Sequence, residues 1–130
     1  MIMDTFTAKS GRQYSPLPID GTQGFPQFFS LLFGGQTYHF RLYVNIPAGL
    51  LNDRSAFMEL PSAAAFLVVQ VEREVSDGTR ETIFLRKVAP ELEYEAENLA
   101  LIFPRQLVAR NNLNGQGDFG SQVIGGIAPR

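Results

Sequence analysis

The sequence predicts an all-β fold, a small barrel or sandwich built on two hairpins, with extended N- and C-terminal arms. Three observations carry this expectation. Residues 37–46 alternate between two faces, one lined by Tyr38, Phe40, Leu42, Val44 and Ile46, with the period of two of a half-buried strand. Two glycine-bearing turn signals, Gly34-Gly35 and Asp77-Gly78, each sit between runs rich in strand-forming residues. The composition combines 11 Phe with 12 Gly and 8 Pro and no Trp, a mixture that favours short strands joined by turns over a helical bundle.

In chain order, residues 1–26 hold Pro16, Pro18 and Pro26 with Gly11, Gly21 and Gly24, and lack periodicity long enough for an element. They read as an extended arm in which Leu17 and Ile19, two apart, form a short edge strand of the kind that tolerates proline. The β domain then spans 27–110. Gln27 to Phe33 is its first strand. Gly34-Gly35 supplies the positive φ that a two-residue turn demands at both central positions. The return strand carries Tyr38, Phe40, Leu42, Val44 and Ile46 on one face and Thr37, His39, Arg41, Tyr43 and Asn45 on the other, and Pro47 ends it by removing a donor. Phe28 and Leu32 fall opposite Phe29, Leu31 and Phe33, so this hairpin is apolar on both faces and calls for burial on each, with another subunit as one candidate cover.

Residues 47–62 form a connection of open shape. The second hairpin runs from 65–75 through Asp77-Gly78 to Arg80 and Val88, with Glu72, Arg73, Glu74, Arg80 and Glu81 placing charge near its tip. In Glu91-Leu92-Glu93-Tyr94-Glu95-Ala96-Glu97 a strand would align four carboxylates on one face and a helix would scatter them. Repulsion leaves two solutions open, a strand against a basic surface or a helical turn. Leu99 to Phe103 is a short strand ended by Pro104, with 106–109 as a continuation. The arm 111–130 has five glycines and few large apolar groups, and is expected to be mobile on its own.

At 130 residues the chain can bury one core without staples. Having no Cys, it can form no disulfide, thiolate nucleophile or Cys-based zinc site. The formal net charge of -2 gives no basic footprint for nucleic acid. The N-terminus shows no basic and apolar regions of a secretory signal, and the longest apolar run, 63–69, is far short of the roughly 20 residues that cross a bilayer.

Residue chemistry offers no catalytic machinery. Gly115-Gln116-Gly117-Asp118-Phe119-Gly120 matches G-x-G-x-x-G literally. The mechanism needs a following helix and an acidic residue about 20 positions on, and only ten residues remain, so the motif reads as a turn or flexible tail. His39, the lone histidine, lies on the polar face of a strand without a local nucleophile motif, and reads as a surface or interface residue. The Glu run lacks calcium-loop spacing and a distinguishable acid–base pair, and reads as a solvated or interfacial face. The aromatics around the first hairpin lack interleaved basic residues and read as core. No enzyme activity, metal or cofactor is expected.

The run Leu17-Pro18-Ile19, then Phe28 to Leu32, then Gly34-Gly35-Gln36-Thr37-Tyr38-His39-Phe40-Arg41-Leu42 and Tyr43, resembles the opening of the small baseplate plug proteins of contractile-tailed phages. Phe119-Gly120-Ser121-Gln122-Val123 is similar to their closing glycine-centred segment. The chain departs from that pattern in lacking Trp after the first hairpin and in its longer middle. The resemblance implies a virion structural protein, made in the host cytoplasm and placed where the tail tube meets the baseplate hub. Its partners would be baseplate, hub and tail-tube proteins and further copies of itself in a ring, with no nucleic acid or membrane contact required.

Pro- and Gly-rich arms suit that role, since they can lie across neighbours and add to sheet edges. Contact residues are expected at Pro16, Leu17, Ile19, Phe25 and Phe28 in the first arm and strand, Asp77 and Arg80 at the second hairpin tip, and Phe119, Val123 and Ile124 in the tail. The rival expectation is a small β-barrel ligand-binding module, with a preformed cavity lined by Phe and Tyr at its mouth.

Overall fold

The computed structural model describes residues 5–21, 23–47, 57–62, 65–109 and 121–130. Ten strands are seen: β1 Phe6–Thr7, β2 Gln13–Pro16, β3 Gln27–Phe33, β4 Gln36–Asn45, β5 Phe57–Glu59, β6 Phe66–Glu74, β7 Arg80–Val88, β8 Glu93–Ala96, β9 Leu99–Ala109 and β10 Gln122–Pro129. They form two antiparallel sheets, one of order β3-β4-β6-β7 and one of order β1-β2-β10-β9-β5, in which β8 also pairs with β9. The sheets are not closed into a barrel and are compatible with a sandwich. The expected all-β class therefore holds, without the barrel form and its mouth.

Both expected hairpins are present. Gly34 and Gly35 take φ of +58° and +82°, and the two-residue turn sets a ladder in which Phe33 faces Gln36 and Gln27 faces Leu42. The second hairpin turns through a single 3-10 turn, Ser76–Gly78, with Gly78 at φ +75°. Alternation decides which side chains enter the core: Tyr38, Phe40 and Leu42 from β4, and Leu67, Val69 and Val71 from β6, point inward. They meet Tyr94, Leu99, Leu101, Phe103, Val108, Val123 and Ile127 from the second sheet in one cluster.

Three expectations change. The described part of the glycine-rich arm, 121–130, is not mobile on its own: β10 lies between β2 and β9 within this chain's own sheet, while 111–120, with the G-x-G-x-x-G match at 115–120, lie outside the described residues. Its glycines are there because other groups occupy the space a side chain would need. A Cβ at Gly126 would come within 2.6 Å of the Phe6 ring and 2.7 Å of Tyr14 Cβ, and one at Gly125 within 2.9 Å of the Phe103 ring. The first arm is likewise built in, through β1 and β2; Leu17 and Ile19, expected as an edge strand, lie past the end of β2 and belong to no strand. Leu17 donates its N–H to the Gly125 carbonyl at 2.9 Å, and the buried Gln27 amide holds the approach to β3 through bonds to Asp20 and Gly24.

Pro104 does not end its strand. β9 continues to Ala109 because Phe103 and Pro104 together oppose Gly125 in a bulge, where the missing donor breaks no ladder bond. The Gln106 side chain braces this bulge by donating to the Phe103 carbonyl at 3.0 Å. Finally, the middle of the alternating Glu run, Glu93–Ala96, is a strand, with Glu91 and Glu97 in the turns on either side, so two carboxylates and not four are aligned. Tyr94 and Ala96 of β8 face the core, while Glu93 and Glu95 share the outer face and are relieved by neighbours from this same chain.

Candidate functional site

Glu93 and Glu95 show how that relief works. The Tyr14 hydroxyl and the Ser10 hydroxyl both donate to Glu93 Oε1, at 2.7 and 2.9 Å, and Arg130 Nε lies 2.8 Å from Glu95 Oε2. The Tyr14 bond holds the Glu93 carboxyl below its usual range, helped by Ser10. Burial, reinforced by that carboxylate, pushes the Tyr14 phenol up to about 12. Tyr14 also packs with Ala100, Ile102 and Ala128 under Phe6, so this cluster fastens the β1–β2 hairpin to the outer face of the second sheet. Tyr14, Ser10 and Glu93 are thus joined to one another by hydrogen bonds within the chain.

The outer face of the four-stranded sheet is different. Alternation turns Phe28, Ser30 and Leu32 of β3 outward beside His39, Arg41 and Tyr43 of β4, with Glu72 and Glu74 of β6 and Leu85 of β7 completing the face. Phe28 is 64 % and Leu32 71 % exposed, the largest values among the described large apolar side chains. The Arg41 guanidinium lies 5.7 Å from the Phe28 ring centroid and 5.2 Å from that of Tyr43. A shallow depression of about 520 Å³ lies on this face, lined by Phe28, Ser30, His39, Arg41, Glu72 and Arg80 among others.

Ser30 and His39 in that depression, with Glu74 beside it, make a constellation. Ser30 Oγ is 2.7 Å from His39 Nδ1, and His39 Nε2 is 3.5 Å from Glu74 Oε2. These are the residue types of a nucleophile, a base and an orienting carboxylate. Stabilising a developing oxyanion would also require free N–H groups aimed above Ser30 Oγ. The backbone donors of β4 and β6 lie in ladders with strands on both sides, and the outer donors of β3 project along the sheet plane. Ser30 and His39 form a cross-strand hydrogen bond beside an apolar edge, while His39 Nε2 makes no hydrogen bond among the described residues and meets Glu74 only at ion-pair distance. Among the described residues no group of three or more His, Asp and Glu is placed to hold a metal ion.

The contact residues expected from the sequence are not brought together. Leu17, Phe25 and Val123 are buried in this chain's own core, so their surface is used internally. Pro16 pairs with Gly126 in β2, and Ile19 and Ile124 are half-buried. Asp77 sits in the 3-10 turn, and Phe119 lies outside the described residues. Phe28 and Arg80 do share a surface, the depression, where Arg80 Nη1 is 3.7 Å from Glu72 Oε1. Sequence reasoning did not connect Ser30 with His39, although a two-residue turn at 34–35 places 30 opposite 39 by counting alone. Glu74 arrives from β6 by long-range pairing and left no such signal.

Comparison with protein-family models, with curated proteins and with solved structures finds no match to this chain.

Proposed function

We propose that this chain is a structural component of a tailed-phage baseplate, at the junction of tail tube and hub, and that it acts by protein–protein contact without catalysis. The observation that carries the contact reading is the exposed pair Phe28 and Leu32 on the outer face of an edge strand. Covering a Phe or Leu side chain is favourable by about 1.5–3 kcal/mol, so a face that leaves both in water gains by meeting another protein surface. The baseplate setting rests on the resemblance carried by Leu17-Pro18-Ile19 and the run 34–43. In this role the sandwich supplies a rigid body, its own glycine-rich strand locks its outer layer, and the outer face of β3 and β4 presents the contact.

Disruption of the gene in a phage that encodes this chain tests the proposal. The expected result is a loss of assembled, contractile particles, restored by the intact gene, together with detection of the chain by mass spectrometry in purified particles. Normal particles lacking the chain would overturn it.

A further inference from the structure

The edges of the two sheets are protected unequally. Free sheet edges invite strand addition, and proteins blunt them by keeping edge strands short or by charging them. In the second sheet the edge strands β1, β5 and β8 are two, three and four residues long. In the first sheet β7 is nine residues long but carries Arg80, Glu81, Arg86 and Lys87. The opposite edge, β3, is seven residues, Gln27–Phe33, with none of these devices. No Asp, Glu, Lys or Arg occurs anywhere from Gly21 to Phe40. Among the described residues no strand pairs with the outer side of β3.

We infer that β3 is a self-association edge, and that its partner is the β3 strand of a second copy of this chain, added antiparallel about a two-fold axis at Ser30 to make a continuous eight-stranded sheet. The inference rests on the reading of the chain as an assembly part and names the contact.

Two features favour a second copy over an unlike strand. An uncharged strand meets its own copy without like-charge repulsion, which a charged edge such as β7 would not. The register is also self-complementary. With Ser30 opposite Ser30 of the second copy, Phe28 lies opposite Leu32 and Leu32 opposite Phe28, so the two most exposed apolar side chains cover each other. On the inner face the half-buried Phe29 meets Leu31 in the same way, extending the core cluster across the axis. A shift of one residue would set the outward side chains against the inward ones and lose both matches. The isologous contact is closed, so it yields a dimer and no filament.

The full chain tests this directly, because it contains no cysteine. Directly opposed Cβ atoms in an antiparallel pair lie about 4.5–5.5 Å apart, close to disulfide reach. Ser30→Cys is expected to form a covalent dimer under mild oxidation, while Thr79→Cys, on the exposed turn, stays monomeric. In sedimentation of the cysteine-free protein, wild type is expected to dimerise. Phe28→Lys with Leu32→Lys, which opposes lysines twice across the axis, weakens the dimer at least tenfold with unchanged circular dichroism and with unchanged melting at concentrations low enough that both proteins are monomeric. Phe28→Glu with Leu32→Lys opposes unlike charges and recovers the dimer.

A wild-type chain that stays monomeric with Ser30→Cys uncrosslinked overturns the inference, as does a dimer indifferent to the double-lysine variant. The two readings fail separately. A monomeric chain that is nonetheless incorporated into particles overturns the β3 contact alone. A β3 dimer absent from particles overturns the baseplate role alone.

Discussion

Gly126→Ala is the perturbation whose outcome follows most directly from the packing. The new methyl would sit 2.6 Å from the end of the Phe6 ring and 2.7 Å from Tyr14 Cβ. Phe6 belongs to a two-residue edge strand and can yield, but Tyr14 Cβ is next to the backbone of a fully buried residue and cannot. Relief therefore requires β2 and β10 to separate by several tenths of an ångström along a shared ladder. Overpacking of this kind costs about 1–3 kcal/mol, here toward the upper end, and the reduced freedom of the unfolded chain returns about 0.4–1 kcal/mol, leaving a net loss of about 1–2.5 kcal/mol. With an unfolding entropy of about 2.1 cal/mol/K per residue over 130 residues, the melting temperature falls by roughly 4–9 °C. Differential scanning calorimetry reads that shift. Adding Phe6→Ala is expected to restore only part of it, because the Tyr14 contact remains. A variant that melts with wild type, or above it, would show that β10 does not lie beneath Phe6 and Tyr14.

Further outcomes follow from the core and the polar clusters. Leu101→Ala, at a fully buried position between the sheets, is expected to destabilise by about 2–5 kcal/mol in urea unfolding, and a loss below 1 kcal/mol would contradict the shared core. The Tyr14 phenol, raised to about 12 from 10.0, keeps its proton in the folded state where the unfolded chain has lost it. Its contribution is present below pH 10 and disappears as pH rises toward 12; Tyr14→Phe should abolish that alkaline loss. Glu93 has the opposite sign. Its lowered pKa contributes stability above its ordinary range that is lost as pH falls through the folded value, and carboxyl NMR should find that value raised in Tyr14→Phe. Arg130→Ala removes one exposed pair with Glu95 and is expected to change stability by no more than about 1 kcal/mol.

The parts of this fold visible in the sequence are those fixed by neighbours along the chain. Gly34-Gly35 with alternation after it determines a turn, a ladder and an inward face, and the observed pairing of Phe33 with Gln36 follows by counting. That Phe28 and Leu32 form a second apolar face is visible in the same way, but from the sequence the aromatics of this hairpin read as core, and the structure instead leaves Phe28 and Leu32 exposed. What could not be read depends on residues far apart in sequence. Gly125 and Gly126 look like a flexible tail until Phe6, Tyr14 and Phe103 occupy the space beside them. Pro104 looks like a strand end until Gly125 sits opposite it in a bulge. The alternating glutamates remain ambiguous until Tyr14, Ser10 and Arg130 are placed against them. At the outer face, Ser30 and His39 follow from the hairpin, whereas Glu74 requires the pairing of β4 with β6.

Hydrogen exchange measured on the free chain at low concentration and on assembled particles tests the central claim that this sandwich works through the β3 edge and the face beside it. The account predicts that amides within 27–33 slow markedly on assembly, while those of the charged edge 80–88 exchange alike in both states. Unchanged exchange at 27–33, or protection confined to 80–88, would contradict it.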